Sequence, residues 1–386
     1  MVSKLMFGLY LHIPFCVHRC SYCDFYSSTQ YRAEDFAALA DKLVWEAGEA
    51  AAWLKAQGHS QPVTSIFLGG GTPSLMPLPD LQRVFEGLKK SFSWQEDAEI
   101  TLEANPETVT EAFAAGLREQ TPVNRVSLGA QSFQARHLQT LERLGSAESI
   151  QQAVKRLRAV GFENYSLDLI FGIPGQTPQE LVADIESVVA LQPKHTSFYS
   201  LTLKPGHKLY GGLPSDDTAA DLYELGRGRL AELGYEAYEI SNFCQPGFES
   251  RHNQLYWQGG DFLGLGPSAA SRFFWNGRSH HRKQIAHWET YLKTASFPSP
   301  EFEAITPNQT VLESVFLELR NRAGIPLEAF HTRYGYDLAQ AQQLPFFEKQ
   351  GLLERTPTHL RLTSKGWLLA EGIAQRLVDL PVGQSA

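Results

Sequence analysis

Three of the four cysteines of this 386-residue chain, Cys16, Cys20 and Cys23, fall within eight residues in the spacing C-x3-C-x2-C. That cluster constrains the fold and the chemistry more than any other feature. A disulfide framework normally packs several cysteine pairs into a much shorter secreted chain, so clustered thiols in a chain of this length point to metal or redox chemistry. A structural zinc site needs four ligands, and His18 lies within the cluster. Three ligands inside five residues would crowd a tetrahedral ion. Three thiolates on one tight loop suit an iron–sulfur cluster better, because one iron stays open for a further ligand. Zinc, or thiols without metal, remains the alternative. Cys244 stands alone and is expected to be a buried, inert thiol.

The chain is long enough for one barrel-sized domain and a smaller one. With 43% apolar and 20% charged residues it is neither disordered nor fibrous. A net charge of −8 argues against general nucleic-acid binding, which rests on Lys and Arg neutralising phosphates. The uncharged stretch 56–79 contains four prolines and a triple glycine, so it cannot be one membrane-spanning helix. Lys4 and the apolar run after it superficially resemble a leader. His12 and Pro14 interrupt that run, and the cysteines follow where a cleavage site would be expected. The expectation is a mature cytoplasmic chain.

Short apolar segments alternate with helical patterns. Strands are expected at 9–15, 65–69, 100–104, 125–130, 165–171 and 197–203, and helices at 33–57, 78–90, 109–119, 147–160, 178–191 and 218–233. Thr177–Pro178 is a helix-start signal, and Gly58, Gly161 and Gly234 are stops. Six β–α units in series imply a parallel sheet, either open or curled into a complete or partial barrel. Residues 294–307, rich in Pro, Ser and Thr, read as a linker between a domain at 1–293 and a module at 308–386. That module has helices expected at 309–322, 327–334, 338–350 and 364–378, with a small hairpin at 352–362. The pattern suggests a winged-helix-like domain without a dense basic stripe.

Ligand sites in parallel α/β proteins lie at the C-terminal ends of the strands. The cysteines follow the first expected strand, Gly69-Gly70-Gly71-Thr72-Pro73 the second, Glu103 and Asn105 end the third, Gln131 ends the fourth, and Asp168 lies late in the fifth. Taken singly, each has a plain structural reading. Glycine-rich turns are common, buried carboxylates often sit in salt bridges, and Arg143 reads as a solvated side chain. Convergence of polar residues from five consecutive strands on one rim is hard to explain as packing. The triple glycine lacks the Lys-Ser/Thr of a P-loop and the spacing of a dinucleotide fingerprint.

The cysteine spacing with Gly69–Pro73 resembles the radical S-adenosylmethionine (SAM) superfamily. Tyr10–Cys16 (YLHIPFC), Glu103–Pro106 (EANP), Leu128–Phe133 (LGAQSF) and Asp168–Pro174 (DLIFGIP) resemble its oxygen-independent coproporphyrinogen III oxidase group. The resemblance runs over nearly the whole chain. It implies a partial (β/α)6 barrel with a C-terminal helical, winged-helix-like domain. It also implies a four-iron, four-sulfur cluster on Cys16, Cys20 and Cys23, with SAM lined by Tyr10, Gly70, Gly71, Thr72, Glu103, Gln131, Arg143 and Asp168.

One departure matters. Oxidases of the group carry a further cysteine where this chain has Phe25. That pattern, with Arg251–Trp257 (RHNQLYW), is similar to the group's haem chaperone branch. Its H-N-x-x-Y-W signature makes His252, Asn253, Tyr256 and Trp257 haem-binding candidates. By itself His252 reads equally as a hydrogen-bonded core residue, and Tyr256 and Trp257 as core aromatics. His280 and His281 are expected at the surface. The resemblance implies haem and acceptor haemoproteins as partners, with peripheral membrane contact left open. The enzyme alternative is SAM-dependent oxidative decarboxylation of coproporphyrinogen III. A structural zinc module is the alternative of another class.

Anaerobically reconstituted protein is expected to be brown and to bleach with dithionite. Cys20→Ser is expected to lose the iron and keep its far-UV circular dichroism. Normal iron content in that variant would remove the cluster assignment.

Overall fold

The computed structural model describes residues 6–298 and 301–378. Six strands run parallel in chain order: β1 (Phe7–Ile13), β2 (Val63–Gly70), β3 (Trp94–Ala104), β4 (Arg125–Gln131), β5 (Tyr165–Phe171) and β6 (His195–Ser200). Six helices follow them in turn: α1 (Ala33–Ala56), α2 (Leu78–Ser91), α3 (Glu111–Gln120), α4 (Ala147–Ala159), α5 (Pro178–Ala190) and α6 (Asp216–Glu232). Among the described residues β1 and β6 do not pair, so the parallel block stays open, as in the expected partial barrel.

Alternation along each strand sorts the side chains onto two faces. Leu9, Leu11 and Ile13 on β1, Ile66 and Leu68 on β2, Val126 and Leu128 on β4, and Leu167 and Leu169 on β5 are at most 1% exposed and belong to one apolar core. The intervening positions build the other face. In register across the sheet, Ser65 lies opposite Gly8 and Glu99, Glu103 opposite Ser127, and Asp168 opposite Ser197. The interior of the open barrel is therefore a polar surface on an apolar base.

An extension continues the sheet beyond both edges. On one side β8 (Asn242–Cys244) joins β6 antiparallel and β7 (Glu236–Glu239) pairs antiparallel with β8. A short helix, α7 (Arg251–Trp257), precedes the other side, where β9 (Asp261–Leu265) is parallel to β1. β10 (Ala270–Trp275), β11 (Arg278–Lys283) and β12 (Glu303–Ala304) then run antiparallel in series. None of these strands was expected, although Asn276–Gly277 is the strongest short hairpin signal in the chain. Both residues have positive φ, 51° and 74°, and they join β10 to β11 as a tight turn requires.

The segment expected as a linker is packed onto this extension. β12 lies within it, Phe302 stacks on Trp53 at 4.9 Å, and the Thr294 carbonyl accepts from Lys42. Pro, Ser and Thr in this stretch signal irregular backbone, which is compatible with tight packing. A separate apolar core holds the C-terminal module, which starts with α8 (Pro307–Glu318) and includes a three-stranded sheet. The helix expected at 338–350 is broken into a 3-10 turn, Leu338–Gln340, and a helix, Leu344–Lys349, with Pro345 in its first turn. The helix expected at 364–378 is likewise two, Ser364–Trp367 and Ala370–Leu377. Among the described residues no helix is long and apolar enough to cross a membrane.

A buried carboxylate pins the extension to the barrel. Glu46 of α1 is fully buried and accepts from Gln284 Nε2 at 2.6 Å, Tyr291 Oη at 2.7 Å, Gly266 N at 2.9 Å and Arg282 Nη2 at 3.1 Å. Four donors offset the cost of burying its charge. Glu46→Ala, which takes the shared carboxylate from four buried donors, is expected to destabilise the protein by about 3–5 kcal/mol. An unchanged urea unfolding midpoint would refute that role.

Candidate functional site

The cysteines occupy a loop between β1 and α1 that closes on itself at its neck. Cys16 N donates to Ser28 O at 3.0 Å and Ser28 N to Pro14 O at 2.7 Å. The triple glycine runs beside this neck, with Gly71 N donating to Ile13 O and Thr72 N to Phe15 O, both at 2.8 Å. A Cβ on Gly71 would lie 2.7 Å from Phe15 O, so only glycine allows this approach. Gly70 has φ +107°, and a Cβ there would lie 2.6 Å from the His12 ring. These glycines let β2 close against the cysteine loop.

Polar side chains from the strand ends reach the thiols. Thr72 Oγ1 donates to Cys16 Sγ at 3.4 Å, and Asn105 Nδ2 donates to Thr72 Oγ1 at 3.2 Å. Arg143 turns inward, contrary to the solvated default. It donates to Asn105 Oδ1 at 2.9 Å, Gly129 O at 2.8 Å and Cys20 Sγ at 3.6 Å. Burial pushes the Cys16 and Cys23 thiols up. A bound metal would reverse that tendency by stabilising thiolates. Among the described residues no three His, Cys, Asp or Glu side chains gather around one point as a single ion requires. Three thiols on one loop beside a guanidinium have the donor chemistry of a thiolate-held multi-iron cluster.

Glu103 and Asp168 share the polar face. Glu103 is half-buried and accepts from Gly70 N at 3.3 Å. Burial, reinforced by Asp168, raises its pKa to about 8. Burial also raises that of Asp168, against hydroxyl donors including Ser127 at 3.2 Å and Ser166 at 3.3 Å. Gln131 sits at a bulge between β4 and β5 with φ +67°, a left-handed conformation that non-glycine residues seldom adopt. Tyr10 donates to His12 Nδ1 at 3.0 Å, and His12 Nε2 donates to the Tyr26 carbonyl at 2.8 Å. Burial lowers the His12 pKa to about 4.

A cavity of about 810 Å3 extends from Tyr10 across the extension to α8. This is the size of a cofactor pocket. Phe25, 67% exposed, stands at its edge, and Tyr26, Tyr256, Trp257 and Phe262 supply much of its apolar wall. On its polar side Arg272 donates to Glu313 at 2.9 Å, and Glu313 also pairs with His281 at 2.9 Å. Burial alone would raise Glu313, but His281 and Arg272 hold it down to about 2. His281 therefore lines the cavity, whereas His280 stacks on Trp275 at 4.3 Å.

The structure places His252 in the core, 1% exposed. Its Nδ1 is 2.8 Å from Ser65 Oγ and its Nε2 is 2.8 Å from Tyr256 Oη. Burial lowers its pKa to about 3. Asn253 Nδ2 donates to Tyr238 Oη at 3.4 Å, and the Trp257 ring carries the Arg320 guanidinium at 4.6 Å. Glu99 was missed at the sequence level. It accepts from Ser250 Oγ and the backbone N of Arg251 and His252 at 3.1–3.2 Å, and so fixes the start of α7. Its signal was the two-residue spacing Glu99, Thr101, Glu103, hidden because the strand was expected to start at residue 100. Cys244 is buried, as expected.

An open parallel α/β block whose cysteine loop meets a glycine-rich strand end defines a radical SAM protein. Residues 10–188 match the Radical SAM superfamily model, and residues 305–369 match the HemN C-terminal domain. The chain belongs to the heme chaperone HemW family. It is 35% identical to the Mycobacterium tuberculosis heme chaperone HemW, over 96% of this chain and 95% of that one. It is 37% identical to the Escherichia coli protein over 76% and 77%, and 30% identical to the Bacillus subtilis protein over 95% and 98%. The fold matches E. coli coproporphyrinogen III oxidase (HemN), a radical SAM enzyme, with a TM-score of 0.81 and 22% identity, covering 97% of this chain and 91% of that one.

The Glu103 carboxyl titrates higher in the fold than in the unfolded chain. Its contribution to stability is fully present below about pH 4.5 and is lost as pH rises toward 8. Glu103→Gln, neutral throughout, is expected to gain stability relative to the parent protein between pH 5 and pH 8. Parallel urea curves with no pH-dependent gap would refute the shift.

Proposed function

We propose that this chain is a cytoplasmic haem-binding chaperone that hands haem to acceptor haemoproteins. In this reading Cys16, Cys20 and Cys23 hold a four-iron, four-sulfur cluster. SAM binds at Tyr10, Gly70, Gly71, Thr72, Glu103, Gln131, Arg143 and Asp168. Held there, a reduced cluster would supply an electron to the sulfonium of SAM. Around it, Arg143 and Thr72 present N–H and O–H groups to the sulfurs, stabilising negative charge there. Glu103, mostly protonated at neutral pH, avoids a second buried charge beside Asp168.

The observation that carries the chaperone reading is the large cavity. It is aromatic on one wall and charged on another, where Arg272, Arg282 and Lys283 stand among Glu301, Glu303 and Glu313, and it holds Tyr256 and Trp257 together with Phe25. A porphyrin needs a flat apolar slot with cations for its carboxylates, and Lys283 lies on that side beside the Arg272–Glu313 pair. Similarity to proteins named heme chaperones over most of the chain supports the same reading. Phe25 puts a phenyl ring where the related oxidases have a further cysteine. Contact with a membrane would be peripheral.

Reconstituted protein with SAM and reductant is expected to form no protoporphyrinogen IX from coproporphyrinogen III. It is also expected to bind ferric haem saturably and pass it to an apo-haemoprotein, followed by absorbance. Enzyme-like product formation would establish the oxidase instead.

A further inference from the structure

We infer that Glu301 and Glu303, at the edge of the cavity's charged wall, restrict its occupant to tetrapyrroles with few carboxylates and turn away those with four. This selectivity rests on the haem reading above and narrows the substrate class of the same site.

The wall is one face of the antiparallel sheet β10–β11–β12. Register and strand alternation fix which side chains share it. Across β10 and β11, Arg272 lies opposite His281 and Ala270 opposite Lys283. Across β11 and β12, His281 lies opposite Glu303. Glu301, two residues before Glu303, lines the cavity as well. Phe302 between them turns the other way and packs on Trp53 and Phe273. Both glutamates are exposed, and their carboxylates stand where an occupant would pass.

Most of the positive charge on this wall is already matched. Arg272 donates to Glu313 at 2.9 Å and to the Gly259 carbonyl at 2.8 Å, and His281 pairs with Glu313 at 2.9 Å. Arg282 pairs with Glu46 at 3.1 Å. Lys283, Glu301 and Glu303 form no ion pair among the described residues. One open cation therefore shares the wall with two open carboxylates.

That balance sorts porphyrins by their charge. Haem carries its propionates on one half of the ring and vinyl groups on the other. It can turn an uncharged edge to the aromatic wall and one carboxylate to Lys283. Coproporphyrin III carries a propionate on every pyrrole ring, so no orientation keeps all of its charge away from both glutamates. Repulsion between like charges is stronger in a cleft with apolar sides than in open water. Like charge placed against the wrong ligand gives specificity at little loss to the right one.

The test is titration of the full-length, cluster-reconstituted protein with ferric haem and with ferric coproporphyrin III, followed by absorbance at low and at high salt. The parent protein is expected to bind haem about tenfold more tightly than ferric coproporphyrin III. That ratio is expected to shrink at high salt, which screens the glutamates. The salt series needs no variant. Glu301→Gln combined with Glu303→Gln keeps side-chain size and removes both charges. It is expected to gain about tenfold in affinity for ferric coproporphyrin III and about twofold for haem, with unchanged iron content and circular dichroism. Equal binding of the two porphyrins by the parent protein would overturn the selectivity, as would a preference for coproporphyrin. A ratio that salt does not move, or one that the double variant leaves as it was, would overturn its origin in these two carboxylates. Failure of the parent protein to bind either porphyrin would instead bring down the chaperone reading, and this selectivity with it.

Discussion

Two-residue alternation across the six parallel strands is the constraint on which the rest of this molecule depends. A parallel sheet wrapped by helices on both faces would bury apolar residues on both. Here only one face does so. The other carries Tyr10, His12, Ser65, Glu99, Glu103, Ser127 and Asp168 at every second position, facing into the open barrel. A one-residue slip in any strand would exchange these for leucines and isoleucines. Register and site chemistry are therefore fixed by the same apolar core.

Buried carboxylates tie the additions to this frame. Glu46 joins the antiparallel extension to α1, and Glu99 holds α7 over the polar face. Each is saturated with donors from segments distant in sequence. Such pairs add little net stability compared with apolar packing, but each accepts only one arrangement of its donors. They fix where the cavity walls stand relative to the strand ends.

The parallel block was legible because its strands are apolar, short and punctuated by helix caps. Residues 165–171 and the helix at 327–334 match the structure residue for residue. The extension was not legible because its strands break that pattern. β11 reads Arg-Ser-His-His-Arg-Lys, and its Ser279 and Arg282 are buried by hydrogen bonding and ion pairing. Only Asn276–Gly277 marked it. Candidate site residues on the strand rim were visible through their position after apolar runs. His252 was visible only as a motif, and its commitments to Ser65 and Tyr256 are tertiary facts that no local pattern carries.

The Arg272–Glu313 pair has a kinetic consequence. It bridges β10 and the first helix of the C-terminal module at the wall of the cavity, with the guanidinium 4% and the carboxylate 23% exposed. Parting the two elements would break this pair, while Arg272 keeps its bonds to Gly259 O and Ser279 Oγ and Glu313 keeps His281. An occupant that leaves by this wall faces the breaking of that pair as a barrier. Its residence time is then set by the tightness of one ion pair as much as by its own affinity for the pocket.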